Sequence, residues 1–226
     1  MISLEHLEIG YKTRHQTISI FKDIHFTLHP GNLVGLIGDN GIGKSTLLKT
    51  LTGNIMPLSG EVFINSKSVT NINLQHLSQI LSIVVTEKIG GFNLTVWDVV
   101  ASGRIPYLNI FGKLTIKDED IIQKALTQLN LQALQHKPMD ELSDGQRQKV
   151  MIAKSLAQQT PIIILDEPTA FLDYTSKHHL FSILKSLCVE QNKLIIVSSH
   201  DVDLMKHYTT QTITMMTNNE IKVVHN

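Results

Sequence analysis

Apolar positions change their period along the chain, and each change marks an element. Near the start they alternate: Ile2, Leu4, Leu7 and Ile9 predict a half-buried strand, and Ile18, Ile20, Ile24, Phe26 and Leu28 a second with one slip in phase. Pro30-Gly31 marks a turn. Residues 32–38 (NLVGLIG) then form a continuous apolar run, followed by a glycine-rich loop and a helix that Gly53 stops. After the Pro57–Gly60 turn, EVFIN reads as a strand, and residues 81–85 (LSIVV) as a buried one. Gly90-Gly91 breaks that pattern. Thr95 with Asp98 predicts a helix cap ahead of WDVVAS. Residues 103–116 are loop-like, and residues 118–136 regain a 3.6 period through Ile121, Ile122, Ala125, Leu126 and Leu129.

In the last third, Ile162–Leu165 and the run LIIVS are unbroken apolar stretches that end in polar residues. That is the pattern of central parallel strands whose C-terminal ends face a site. TITMMT and EIKVV flank Asn218-Asn219 and predict a hairpin. The expected fold is α/β, one domain over residues 1–226, with residues 1–86 and 143–226 as core and about 87–142 as a helical insertion.

Composition narrows the classes. The 226 residues are 42% hydrophobic and 18% charged, as in a folded soluble protein rather than a disordered one. Net charge is zero, which is not the footprint of a nucleic-acid binder. The single cysteine, Cys188, lies in an apolar helical stretch and reads as a small core residue; no disulfide can form within the chain, which fits a reducing compartment. No apolar run approaches the roughly 20 residues of a membrane span, and the N-terminus shows no signal-peptide pattern.

Chemistry concentrates in a few segments. Gly38-Asp39-Asn40-Gly41-Ile42-Gly43-Lys44-Ser45-Thr46 matches G-x-x-x-x-G-K-[ST] between a predicted strand and a predicted helix. Its glycines let successive N–H groups turn inward toward phosphate oxygens, at a helix N-terminus that favours negative charge. Lys44 would reach the β- and γ-phosphates, and the Ser45 hydroxyl would coordinate Mg²⁺. The strand Ile162–Leu165 delivers Asp166, suited to hold Mg²⁺ through water, and Glu167, suited to polarise an attacking water. Alone, such an acid pair is common and often structural; after a phosphate loop it reads as functional. Ser143-Asp144-Gly145-Gln146 opens a helix and reads, by itself, as a cap, with Ser143 and Gly145 as a second phosphate-binding device. His200 follows the strand beside the one that ends at Asp166, where it could donate a hydrogen bond to a γ-phosphate.

The phosphate loop, LSDGQ, the strand ending in Asp166-Glu167, the following AFLD and the histidine come in the order and spacing of ATP-binding cassette (ABC) ATPases, which the chain resembles over nearly its whole length. The resemblance implies a P-loop NTPase core with an N-terminal antiparallel β subdomain and a helical subdomain, and ATP with Mg²⁺ as ligands. It implies that Tyr11 stacks on adenine, although a strand-end aromatic with no ligand is the other reading. It implies too that Ser143–Gln146 is the signature segment and that Asp173 lies in the loop joining two sites. A head-to-tail homodimer follows, each nucleotide held by one subunit's Lys44 loop and capped by the other's Ser143 segment.

The pattern breaks in two places. Asp144 stands where the family has glycine, and is expected to face outward. Thr86-Glu87 stands where the family has a magnesium-touching glutamine; either Glu87 serves as an oxygen ligand or the role is altered. The stretch GRIPYLNIFGKLTIKDED is similar to that of ATPases serving iron-siderophore, haem and cobalamin importers, with Arg104 and Tyr107 as surface contacts near the membrane partner. The resemblance thus implies an ATPase subunit peripheral to the cytoplasmic face of the plasma membrane. It would work with polytopic permease subunits, indirectly with a substrate-binding protein, and not with nucleic acid. The alternatives are a soluble ABC ATPase acting on ribosomes or DNA, or an exporter's ATPase.

Overall fold

The computed structural model describes residues 1–85 and 94–226. The chain opens with β1 (Ile2–Lys12) and β2 (Thr17–Leu28), then β3 (Leu33–Ile37), α1 (Lys44–Leu51), β4 (Ser59–Ile64) and β5 (Lys67–Ser68). Next come α2 (Leu74–Ile80), β6 (Leu81–Val84), α3 (Val96–Ala101), a 3₁₀ turn (Ser102–Tyr107), α4 (Ile116–Gln128) and α5 (Asp144–Ala157). The last third runs β7 (Ile162–Leu165), α6 (Tyr174–Gln191), β8 (Leu194–Ser198), α7 (Val202–Tyr208), β9 (Gln211–Met215) and β10 (Ile221–His225).

Two sheets result among the described residues. One is antiparallel, in the order β2-β1-β4-β5. The other runs β10-β9-β3-β8-β7-β6 and is parallel throughout except for β10. The unbroken apolar runs of its middle strands follow from burial on both faces. Ile162 and Ile164 point into a core shared with the antiparallel sheet and with Leu47, Leu48 and Leu51 of α1. Ile163 and Leu165 point the other way, into a core built with α3 to α7. Because β3, β6, β7 and β8 are parallel, their C-terminal ends share one edge of the sheet, where α/β proteins place their sites.

Three expectations need correction in detail. On β2 the buried positions are Phe21, Ile24 and Leu28, whereas Ile18 is 44% exposed and Ile20 and Phe26 are half-buried. The cause is a run of register shifts between β1 and β2, with His6 and Asp23 in left-handed conformations that re-phase the side chains. The helix expected over 118–136 starts at Ile116, where Thr115 and Asp118 form a capping box, and ends at Gln128. Asn130, with φ 56°, reverses the chain there. Within the stretch read as loop, Ser102–Tyr107 is wound into 3₁₀ turns. The Thr95–Asp98 capping box opens α3, and the 218–219 turn joins β9 to β10, with Met216 N donating to Glu220 O at 2.9 Å. Gly90-Gly91 lies outside the described residues. Among the described residues no helix is long and apolar enough to cross a membrane.

Candidate active site

The loop after β3 is set by its glycines. Gly43 has φ 120° and caps α1 without a side-chain bond; a Cβ there would lie 2.8 Å from Ile20 Cγ2. The first amides of α1 have no acceptors within the helix and are free to bind an anion at its N-terminus. Lys44, 6% exposed, folds back so that Nζ donates to Gly38 O at 2.7 Å and Asp39 O at 3.2 Å. Asp39, Asn40, Gly41 and Ser45 are exposed, Ile42 is half-buried, and Thr46 is buried. Thr46 Oγ1 lies 2.6 Å from the hydroxyl of Tyr11, which is 44% exposed. The end of β1 is thus hydrogen-bonded to the first turn of α1.

Asp166 and Glu167 leave β7 at the same edge. Asp166 is 6% exposed, and its backbone N–H donates to Val84 O at 2.8 Å. The buried Ser198 hydroxyl donates to Asp166 Oδ1 at 2.7 Å and accepts from the Glu167 N–H at 2.8 Å. It therefore fixes both acids from the neighbouring strand. Glu167 sits in the left-handed region, φ 51°, a costly conformation for a non-glycine residue that the surrounding bonds hold in place. Its buried Oε1 makes no hydrogen bond of good geometry. That oxygen lies 2.8 Å from His200 Nε2 and 3.7 Å from Lys44 Nζ. Lys44, Glu167 and His200, far apart in sequence, are brought together around one carboxylate oxygen.

The oxygen donors fit a magnesium ion. Ser45 offers an exposed hydroxyl and Asp166 a carboxylate, hard ligands of the kind Mg²⁺ takes from a protein when substrate phosphates supply the rest. Among the described residues no cluster of three His, Cys, Asp or Glu side chains could hold a metal by itself. Glu87, and Thr86 beside it, lie outside the described residues.

Ser143 caps α5 in a reciprocal capping box: the Gln146 N–H donates to Ser143 Oγ at 3.3 Å and the Ser143 N–H to Gln146 Oε1 at 3.0 Å. The Asp144 side chain is half exposed, with one carboxylate oxygen 3.6 Å from Arg147 Nε. Gly145 rests on the turn after Glu167, where a Cβ would meet Phe171 O at 2.7 Å. Asp173 caps α6 by accepting from the Ser176 N–H at 2.8 Å and hydroxyl at 2.9 Å. Those bonds hold its carboxyl below the ordinary carboxylate range.

Ser198 is a site residue that the sequence reading passed over; its only signal was a hydroxyl at the end of an apolar run. Arg104 is corrected. It is no surface contact but 5% exposed, with Nε donating to Asp118 Oδ1 at 2.8 Å and Nη1 to Ala157 O at 2.8 Å. The guanidinium stacks 4.2 Å above the ring of Tyr107, whose hydroxyl donates to Gln158 O. Cys188 is buried, as expected of a core residue, and burial pushes its thiol up to about 12.

Comparison with known proteins agrees with this geometry. Residues 21–170 match the family model described as ABC transporter. The chain is 40% identical over 204 residues to an uncharacterised ABC transporter ATP-binding protein of Methanocaldococcus jannaschii, covering 90% of this chain and 69% of that protein. It is 33% identical over 221 residues to the iron(3+)-hydroxamate import ATP-binding protein of Bacillus subtilis, covering 98% and 81%. Among solved structures, a transporter assigned to the metal-chelate ABC type, in an inward-facing conformation, superposes with a TM-score of 0.83 at 28% identity, covering 99% of this chain and 82% of that one.

Proposed function

The chain belongs to the ABC transporter family, and from that premise we propose that it is the ATP-hydrolysing subunit of an iron-chelate importer. The importer group is supported by the roles of its relatives, which include iron(3+)-hydroxamate, siderophore and cobalamin ATP-binding proteins. The hydrolytic reading is carried by the convergence of Lys44, Glu167 and His200 on one carboxylate oxygen.

In this reading the inward amides of Gly38–Thr46 bind the phosphate chain, and Tyr11 stacks on the base. Lys44 trades its loop carbonyls for β- and γ-phosphate oxygens. Ser45 and Asp166 hold Mg²⁺, which neutralises charge on the phosphates when bound. Glu167 accepts a proton from the attacking water as the water oxygen bonds to the γ-phosphorus; the bond from that phosphorus to the β–γ bridging oxygen breaks, and ADP and inorganic phosphate leave. His200 donates to the γ-phosphoryl oxygens and orients the Glu167 carboxylate.

The Ser143–Gln146 segment acts on a second copy's nucleotide, so each chain carries halves of two sites. Asp173 belongs to the turn that links them. The dimer sits peripherally on permease subunits at the cytoplasmic face, with a substrate-binding protein beyond. Closure on ATP and reopening after hydrolysis drive the permease.

The test is Glu167→Gln. It should bind ATP with near wild-type affinity while turnover falls by about 10²–10⁴, the usual worth of a general base. Turnover at the wild-type rate would remove Glu167 from this role. Uptake of a radiolabelled ferric hydroxamate by vesicles holding the reconstituted transporter tests the importer assignment.

A further inference from the structure

Lys193 is a buried cation with no counter-charge. It is 8% exposed and stands just before β8. A lysine ammonium carries three donating protons. Among the described residues, that of Lys193 meets one acceptor, the Thr160 carbonyl, and no carboxylate. The acceptor is fixed in place, since the buried Thr160 hydroxyl lies 2.9 Å from Ser82 Oγ and 2.7 Å from Ile162 O. Burial pulls the Lys193 ammonium below the ordinary lysine pKa. An anion brought to such a group relieves that cost.

Lys193 lines a cavity of about 120 Å³ enclosed by α4, the end of α5, β7 and α6. The cavity is apolar along Ile121 and Ala125 of α4, Ile163 of β7 and Leu187 of α6, all buried. Its rim is polar, with Lys124, Gln128, Gln159 and Gln191 exposed. Lys124 already shares its charge with Asp120 at 2.7 Å, so the charge left for a ligand is that of Lys193. The glutamine amides can donate beside it.

This place is remote from the nucleotide chemistry. Thr160 and Lys193 come before β7 and β8, whereas Glu167 and His200 follow them, so the cavity and the phosphate loop lie at opposite edges of the sheet.

We propose that the cavity binds a short-chain carboxylate, its head on Lys193 and its tail against Ala125, Ile163 and Leu187. A cation flanked by amide donors recognises an oxyanion. The apolar wall favours one with a hydrocarbon tail over bare phosphate, and the volume limits that tail to a few carbons. α4 belongs to the helical insertion, while Leu187 and Lys193 belong to the core, so an occupant touches both and braces one against the other.

Calorimetric titration of the ADP- and Mg²⁺-saturated protein with sodium butyrate tests the proposal; the nucleotide keeps the probe off the phosphate loop. Binding should saturate at one butyrate per chain. n-Butanol, which has the tail without the charge, and inorganic phosphate, which has charge without the tail, should each bind at least tenfold more weakly. Lys193→Met should weaken butyrate binding at least tenfold. If that variant does not fold, Gln159→Glu with Gln191→Glu places two carboxylates on the exposed rim and should weaken binding to the same extent. Absence of saturable butyrate binding overturns the site, as does undiminished binding in these variants. Equal binding of butanol would leave only an apolar hole, and equal binding of phosphate would overturn the carboxylate assignment.

Discussion

His200 Nε2 stands 2.8 Å from Glu167 Oε1, and the two residues sit on loops leaving the adjacent parallel strands β8 and β7. Neither loop alone makes the pair; the register of Leu165 beside Val197 does. In the proposed reaction the histidine holds the carboxylate and meets the γ-phosphate. His200→Ala is therefore expected to lower kcat by about 10²–10³, the range for loss of one charge-stabilising donor. ATP affinity should change little. Steady-state ATPase assays beside equilibrium nucleotide binding check both.

Tyr11 separates two contributions. Its hydroxyl bonds Thr46 at 2.6 Å, and its ring is the proposed adenine platform. Tyr11→Phe removes the hydrogen bond and keeps the platform, so ATP affinity should stay within a few-fold. Tyr11→Ala removes both and should weaken ATP binding by about 1–3 kcal/mol, the worth of base–aromatic stacking. Equal loss in the two variants would show that the hydroxyl, not the ring, matters.

Arg104 fastens the 3₁₀ turn to α4 and to the end of α5 through Asp118 and Ala157. Breaking such a buried pair by Arg104→Ala should cost about 3–5 kcal/mol in urea unfolding. The Asp118 carboxyl is held below its ordinary range, first by the Thr115 hydroxyl and further by the Thr115 amide and Arg104, against the opposing effect of burial. Its folded pKa thus lies below its unfolded one. The stabilisation is complete above the ordinary carboxylate value of about 4 and is lost as pH falls through the lower folded value. Stability should fall on acidification below about pH 4, and less steeply in Asp118→Asn.

Burial raises the Cys188 thiol to about 12, so thiolate is scarce at neutral pH. A colorimetric disulfide reagent at pH 8 should leave the native protein almost untouched and react with one thiol per chain in denaturant. Rapid reaction in the native state would place Cys188 at the surface.

The sheet was legible because burial on both faces forces unbroken apolar runs, as in Ile162–Leu165. The phosphate loop was legible because glycine is the residue that reaches its φ values. Local rules failed where distant bonds decide. Arg104 reads as surface from its sequence neighbours, and only the fold brings Asp118 and the Ala157 carbonyl to it. Ser198 carries no motif, yet it joins Asp166 to the Glu167 backbone from another strand. The phase of β2 escaped because its register shifts lie in backbone conformation rather than in residue type.

Everything between Val84 and Ile162 leaves and re-enters the sheet on neighbouring parallel strands, β6 and β7, paired Leu81 to Ile162. Those strands lie about 4.8 Å apart, so the excursion starts and ends side by side, while its helices α3, α4 and α5 pack on one face of the sheet. Such a graft can be exchanged without rethreading the strands that carry Lys44, Glu167 and His200. On this plan, selection can rewrite α3 and α4, which precede the Ser143 segment, while the strands that carry the phosphate loop and its acids are inherited unchanged.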